Sequence, residues 1–394
     1  MSMARKPSTP LDITVTGCPV DPMIAGISVF LLLYGLVMVG SASLEIGAKT
    51  YHDPFYLLTR HSAYLVLSAI AAVAAISVPI KMWQKYDALL LALSLFVLAV
   101  VLVPGIGKEV NGSTRWIPLG PFSFQGSEFV KLFIMMYMAG YLVRRKDEIE
   151  TSLSGFSKPF VVLTLIVLLL LAQPDFGAAI VIISAAMGMI FLAGVPIRFF
   201  LPLVALCVSA VALIATLQPY RLARFTAFVD PWEHQFGSGY QLTQALIAFG
   251  RGEWIGLGLG NSIQKLFFLP EAHTDFLFSI IAEELGIVGA GLVIILFAWL
   301  VVRGLAVGNA ARRCELLFHA YLAYGIALVI GIQASVNLGV NLGILPTKGL
   351  TLPFMSYGGN SLIVSCMMIA VLLRIDFETR QVAEVETRGK RNHG

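Results

Sequence analysis

Ten long apolar runs constrain this chain more than any other feature. They lie at about 23–43, 60–80, 88–104, 127–143, 159–173, 176–194, 199–217, 276–302, 316–341 and 351–373. A helix rises about 1.5 Å per residue and the hydrocarbon core of a bilayer is about 30 Å thick, so a spanning helix needs roughly 20 apolar residues. Most of the runs meet that length. With 58% hydrophobic and 13% charged residues, the chain has about half the charge of a soluble domain. The expected fold is an all-α membrane protein, a polytopic bundle of about ten transmembrane helices with a large extracytoplasmic loop between helices 7 and 8.

Basic residues orient such a bundle, because loops on the cytoplasmic side carry an excess of Lys and Arg. Most of the 27 Lys and Arg fall on one side when both termini are placed in the cytoplasm. Residues 1–20 and 376–394 then read as cytoplasmic tails, polar and flexible, flanking a membrane domain over 21–375. Ser41-Ala-Ser43 resembles a signal-peptidase site, but the run before it is too long for a signal peptide, so the first helix is expected to stay uncleaved. Cys18 and Cys314 are expected in the cytoplasm and Cys207 and Cys366 within apolar runs, which predicts neither a disulfide nor a thiolate metal site. The net charge of +4 is modest, and anionic lipid accounts for its placement; nucleic acid is not implied.

Two outer connections are long. Residues 105–126 are thick with Gly and Pro and cannot run as one helix. Residues 218–274 form the largest loop. Within it, Leu242, Ala245, Leu246 and Phe249 recur at helical spacing, which predicts a short amphipathic helix lying on the membrane over 239–250. Gly256–Asn261, GLGLGN, has no strand–helix unit around it, so its glycines are read as turn residues rather than a dinucleotide loop.

Helix arithmetic then pulls charged residues toward one face. The uncharged stretch Leu132–Val143 spans only about 18 Å, so Lys131 lies below the outer surface with Glu128 one turn above it. The same reasoning brings Asp175 to the outer boundary and Glu283 to the outer rim. Asp275 stands about two turns above Glu283, and Lys348 heads the last helix on the same side. Ionisable groups are costly in hydrocarbon, so this set is expected to line a polar chamber open to the outside. The alternative is a set of salt bridges that locks the bundle. A chamber mixing carboxylates and cations beside lipid suits an amphiphilic anion: cations hold phosphates and a desolvated carboxylate serves as a general base. The residues alone do not separate transport from chemistry.

Several long motifs stand in order along nearly the whole chain: TRWIPLGPFSFQGSEFVKL (114–132), QPDFG (173–177), GYQLTQALIAFGRGEWIGLGLGNSIQKL (239–266), LPEAHTDFLFSIIAEELG (269–286) and LPTKGLTLPFMSYGGNS (345–361). Together they resemble the SEDS family (shape, elongation, division and sporulation), and within it the cell-division branch. The resemblance implies a peptidoglycan glycosyltransferase of the bacterial cytoplasmic (inner) membrane, acting at the division septum. It would polymerise lipid II at the outer face, with inversion and release of undecaprenyl pyrophosphate. A class B penicillin-binding protein, the crosslinking transpeptidase, is the implied partner, with other division proteins. The sequence departs from the family pattern at Gly126, where Pro is usual, and at Asn360, where Ser is usual; neither is expected to alter the chemistry.

By the family motif, Asp275 is the expected catalytic base, with a helix N-cap as the structural alternative. Arg115, Lys131 and Lys348 are candidates to neutralise the pyrophosphate. Glu128, Asp175, His273, Glu283 and Ser356 are expected to support the cavity. A divalent cation, Mg or Mn, is a candidate cofactor through Asp275, Glu128 or Asp175, although no dedicated ligand pattern is present; no organic cofactor is expected. Two rival functions remain: a lipid II flippase, which needs a polar path through the bundle, and a non-catalytic division scaffold.

Overall fold

The computed structural model describes residues 20–392 apart from 111, 121, 152, 199, 203, 206–208 and 210–225. The seventh apolar run and the residues before Val20 therefore lie outside the described residues or largely so. The other nine runs fall on helices: α1 (Pro22–Tyr51), α2 (Tyr56–Ser77), α4 (Asp87–Val101), α5 (Gly126–Arg144), α7 (Leu153–Ala172), α8 (Phe176–Leu192), α10 (Leu277–Arg313), α11 (Leu317–Asn341) and α12 (Gly359–Asn392). Short helices α3 (Ile80–Lys85) and α6 (Lys146–Thr151) fill two turns, and α9 (Tyr240–Gly252) lies in the long connection before α10. Five of the helices, α1, α2, α5, α10 and α11, are each long and apolar enough to cross a membrane. Buried side chains from α1, α5, α8, α10, α11 and α12 share one continuous core. The chain is a multi-pass helical membrane protein.

Four features differ from the sequence expectation. The Gly- and Pro-rich segment before α5 is a small antiparallel sheet, β1 (Lys108–Val110), β2 (Ser113–Leu119) and β3 (Phe122–Gln125), in the order β1-β2-β3. Trp116 stands opposite Gln125 and Leu119 opposite Phe122, so the sheet feeds directly into α5. The last helix starts at Gly359 rather than near 351, because residues 343–358 fold as an irregular connection over the end of the bundle. It also runs past the expected boundary at 375: Asp376 and Arg380 are buried and paired at 2.8 Å, and Glu378 accepts from Arg374 and from the Ile80 amide. Those contacts give the first part of the tail a packed structure.

The fourth difference is α9. Its apolar stripe, Leu242, Ala245 and Ala248, is buried, and the helix packs on α10 rather than lying against lipid. The connection that follows α9 meets a break in α10 at Gly286, whose φ of 64° only glycine adopts freely. A break strands backbone groups that lipid cannot satisfy. The connection after α9 supplies the partners: Ile287 N donates to the Glu253 carbonyl at 2.9 Å, and Leu257 N and Gly258 N donate to Glu283 and Glu284 carbonyls at 3.0 and 2.9 Å. The glycines of GLGLGN are thus turn residues, and Gly256 lies so close to Glu284 that a Cβ would sit 2.2 Å from its carbonyl oxygen.

Candidate active site

The site gathers at the end of the bundle that carries the sheet, around the connection 347–351. Three side chains of α11 converge there. That helix presents Gln333, Asn337 and Asn341, three amides spaced by four residues and therefore on one face. Gln333 Oε1 accepts from Lys131 Nζ at 2.5 Å, while its Nε2 donates to the Thr351 carbonyl at 3.0 Å. Asn337 Nδ2 donates to the carbonyls of Leu350 (2.6 Å) and Asp275 (2.8 Å). Asn341 Nδ2 donates to the Asp275 carbonyl at 2.9 Å, and its Oδ1 accepts from Ser279 Oγ at 2.7 Å. One helix face therefore sets the positions of Lys131, Asp275 and the 347–351 connection together.

Asp275 precedes α10, whose N-cap is Phe276 with no side-chain cap bond. The carboxylate is not the cap of that helix. It is half-buried and faces the main chain of Gly349, where a Cβ would stand 3.0 Å from Oδ2. The neighbouring Lys348 holds its ammonium 4.2 Å above the Phe176 ring, beside Asp175. It lies in the connection, eleven residues before α12 begins.

Glu128 and Lys131 pair at 2.8 Å on successive turns of α5, as the spacing predicted. Lys131 is only 1% exposed and is shared between Glu128 and Gln333. Asp175 caps α8 by accepting from Ala178 N at 3.2 Å, accepts from Ser127 Oγ at 2.8 Å, and faces Arg115 at 3.6 Å. Arg115 also donates to the Gln173 and Pro174 carbonyls, so it fastens the sheet to the α7–α8 turn. Gly126 has a physical reason: a Cβ there would stand 2.2 Å from Val97 Cγ1, leaving no room for a proline ring. Asn360 likewise does what serine is too short to do, donating to the Ser123 carbonyl at 2.7 Å.

Glu283 and Ser356 stand apart from this group. Glu283 is fully buried and accepts from Ser262 Oγ and from the amides of Ile263 and Gln264, with Arg251 at 3.5 Å. Glu284 next to it accepts from Ser41 Oγ at 2.7 Å and Lys265 Nζ at 2.9 Å. Both carboxylates anchor the 253–266 connection to α10. Ser356 Oγ accepts from Leu352 N at 2.9 Å and closes a turn. His273 packs on Tyr357 with ring centroids 5.3 Å apart, and its carbonyl accepts from Tyr357 N. Burial pulls the His273 imidazole below its ordinary pKa, with nearby Glu271 opposing the shift.

Among the described residues no group of three His, Cys, Asp or Glu is arranged to hold an ion. Glu128 and Asp175 are committed to Lys131 and to Ser127, Ala178 and Arg115. The three carboxylates named for a cation thus do not fit a shared site.

The sequence reading missed the amides of α11, although Gln333, Asn337 and Asn341 recur every fourth residue in an apolar run. It also missed Lys265 and Ser41, partners of Glu284.

The fold and site define a class: multi-pass membrane proteins whose helices enclose a charged, amide-braced site at one end. The family model described as "Cell cycle protein", for FtsW, RodA and SpoVE, matches residues 22–381, and the chain belongs to that family. It is 52% identical over 376 residues to a "Probable peptidoglycan glycosyltransferase FtsW" of Hahella chejuensis, covering 95% of each chain. A protein of the same description from Pseudomonas fluorescens is 51% identical over 369 residues, 93% of this chain and 90% of that one. Among solved structures, a chain of a peptidoglycan synthase complex that coordinates polymerization and crosslinking superposes with a TM-score of 0.75 at 29% identity, covering 92% of this chain and 99% of that one. The rod shape determining protein RodA of Thermus thermophilus gives 0.68 at 29% identity, covering 91% and 96%.

Proposed function

We propose that this protein is a peptidoglycan glycosyltransferase that polymerises lipid II at the outer face of the cytoplasmic membrane during septal wall synthesis. The observation that carries the reading is the bracing of Asp275 by Asn337 and Asn341 beside the Lys348–Gly349 main chain. In this reading Asp275 takes the proton from the acceptor sugar hydroxyl as that oxygen attacks C1 of the donor, and undecaprenyl pyrophosphate leaves from the opposite face. Lys348, next to the Gly349 main chain that Asp275 faces, and Arg115, against Asp175, are the cations assigned to the diphosphate, and Lys131 acts through Glu128 and Gln333 to set the floor.

The site end faces outward and both termini face the cytoplasm, in keeping with the Lys and Arg distribution. A class B penicillin-binding protein is the proposed partner, supported by the similarity to a synthase-complex chain. The flippase alternative needs a polar path below Lys131. There α5 carries Ile134, Met135, Met136, Met138 and Ala139, all fully buried, which favours an enzyme working from one face. The test is polymerisation of labelled lipid II by the purified protein with and without its transpeptidase. Glycan strands from wild type and a rate about 10²–10⁴-fold lower from Asp275→Asn are expected; a near-wild-type rate from Asp275→Asn overturns the assignment of the base, and no strands from wild type leave the scaffold reading.

A further inference from the structure

A crevice of about 720 Å³ opens between the outer halves of α1 and α2 and the segment 259–266. Its size falls in the range of small-molecule sites, and it is separate from the Asp275 group described above. Its lip includes Val37, Phe55 and Leu266, which are 50%, 58% and 42% exposed. Val37 lies mid-way along a spanning helix, so the mouth opens at the depth of hydrocarbon, where the available occupant is a lipid chain.

The polar groups on the wall say which part of a lipid fits. An ammonium has three donors, and Lys265 uses them on Glu284, Ser41 and the Gly260 carbonyl at 2.7–3.0 Å. None remains for a phosphate. Glu45, also on the wall, repels an anionic head. The crevice is therefore built for an uncharged tail, and an anionic head must lie elsewhere. The wall segment is fixed by the buried Glu283 and Glu284 to α10, and it continues through Leu269, whose amide donates to the Gln264 carbonyl, into the segment that carries Asp275. A chain seated here leads along the wall toward the site.

We propose that this crevice holds the polyprenyl chain of the lipid-linked sugar substrate, an inference that rests on the polymerase reading. The structure offers a direct way to block it. A Cβ on Gly40 would touch only the Leu58 methyls, at 3.5 and 3.7 Å, so a larger side chain there has to enter the crevice. Gly26, on the same helix with nothing within 4 Å, is the control.

The experiment irradiates the purified full-length protein with lipid II bearing a diazirine in its polyprenyl chain and maps the adducts by mass spectrometry. Adducts on peptides 36–45, 55–62 or 259–266 are expected. Gly40→Leu should lower their yield and raise the KM for lipid II about tenfold with kcat nearly unchanged, the pattern of lost uniform binding; Gly26→Leu should change neither. Adducts confined to other helices overturn the proposal whether or not Gly40→Leu folds. Equal labelling by a diazirine phosphatidylglycerol also overturns it, since the crevice would then be a general lipid groove. Wild-type polymerisation in the same preparation keeps the two readings apart. Polymer without crevice adducts ends this inference alone, and crevice adducts without polymer end the polymerase reading.

Discussion

Asn341 holds Asp275 by the main chain: the Asn341 Nδ2 donates to the Asp275 carbonyl at 2.9 Å. The contact engages the backbone of Asp275 and not its carboxylate. Replacing the acid by its amide therefore leaves the brace in place. Asp275→Asn is expected to fold and melt like wild type while losing about 10²–10⁴-fold in polymerisation rate, the usual share of general base catalysis. Thermal melting in detergent and a lipid II polymerisation assay check the two halves.

Asn337 reaches two carbonyls at once, and only one of them has another amide. Asn337→Leu leaves the buried Leu350 carbonyl unpaired, while Asp275 keeps Asn341. The expected cost is roughly 1–3 kcal/mol, read as a lower melting temperature. Polymerisation should fall as well, because the 347–351 connection loses its hold.

Lys131 is buried against Glu128. Lys131→Met leaves that carboxylate uncompensated, at about 3–5 kcal/mol, whereas the double change Glu128→Gln/Lys131→Met removes both charges and regains most of the loss. A double-mutant cycle on thermal melting measures this.

Gly286 adopts φ 64° and admits no side chain: a Cβ would lie 2.4 Å from the Trp254 carbonyl oxygen. Gly286→Ala is expected to lift the 253–258 segment off α10 and destabilise the protein by about 1–3 kcal/mol. Limited proteolysis should then cut within 253–266 faster than it does in wild type.

His273 has a pKa held below the ordinary imidazole value by burial. The unfolded chain then binds its proton more readily than the folded one, so this group contributes stability above pH of about 6.5 that is lost as pH falls toward the depressed folded value. His273→Gln should flatten that acid-side decline, seen as the difference between variant and wild-type melting temperatures across pH 5–7.

Much of the fold was legible because a spanning helix and its length leave a plain mark in the sequence. The Glu128–Lys131 pair followed from helical spacing alone. What escaped were contacts made to main chain. Glu283 reads as one more carboxylate of a chamber until its partners are seen to be the amides of Ile263 and Gln264, which no pattern of side chains announces. The α9 stripe marked an apolar face but not its occupant, and the break at Gly286 that receives the following segment, 253–258, has no hydrophobic signature. The apolar content of residues 351–358 outweighs Pro353 and Gly358 in the sequence, so the start of the last helix at Gly359 carries no clear mark.

The amide face of α11 has a mechanical consequence. An apolar helix can roll against its neighbours and exchange one greasy contact for another. Here a roll of even one residue, about 100°, would strip Gln333, Asn337 and Asn341 of every carbonyl and ammonium they hold. The helix behaves as a keyed shaft: its angle is registered against the 347–351 connection, and Lys131 and Asp275 keep their separation because they engage the same key.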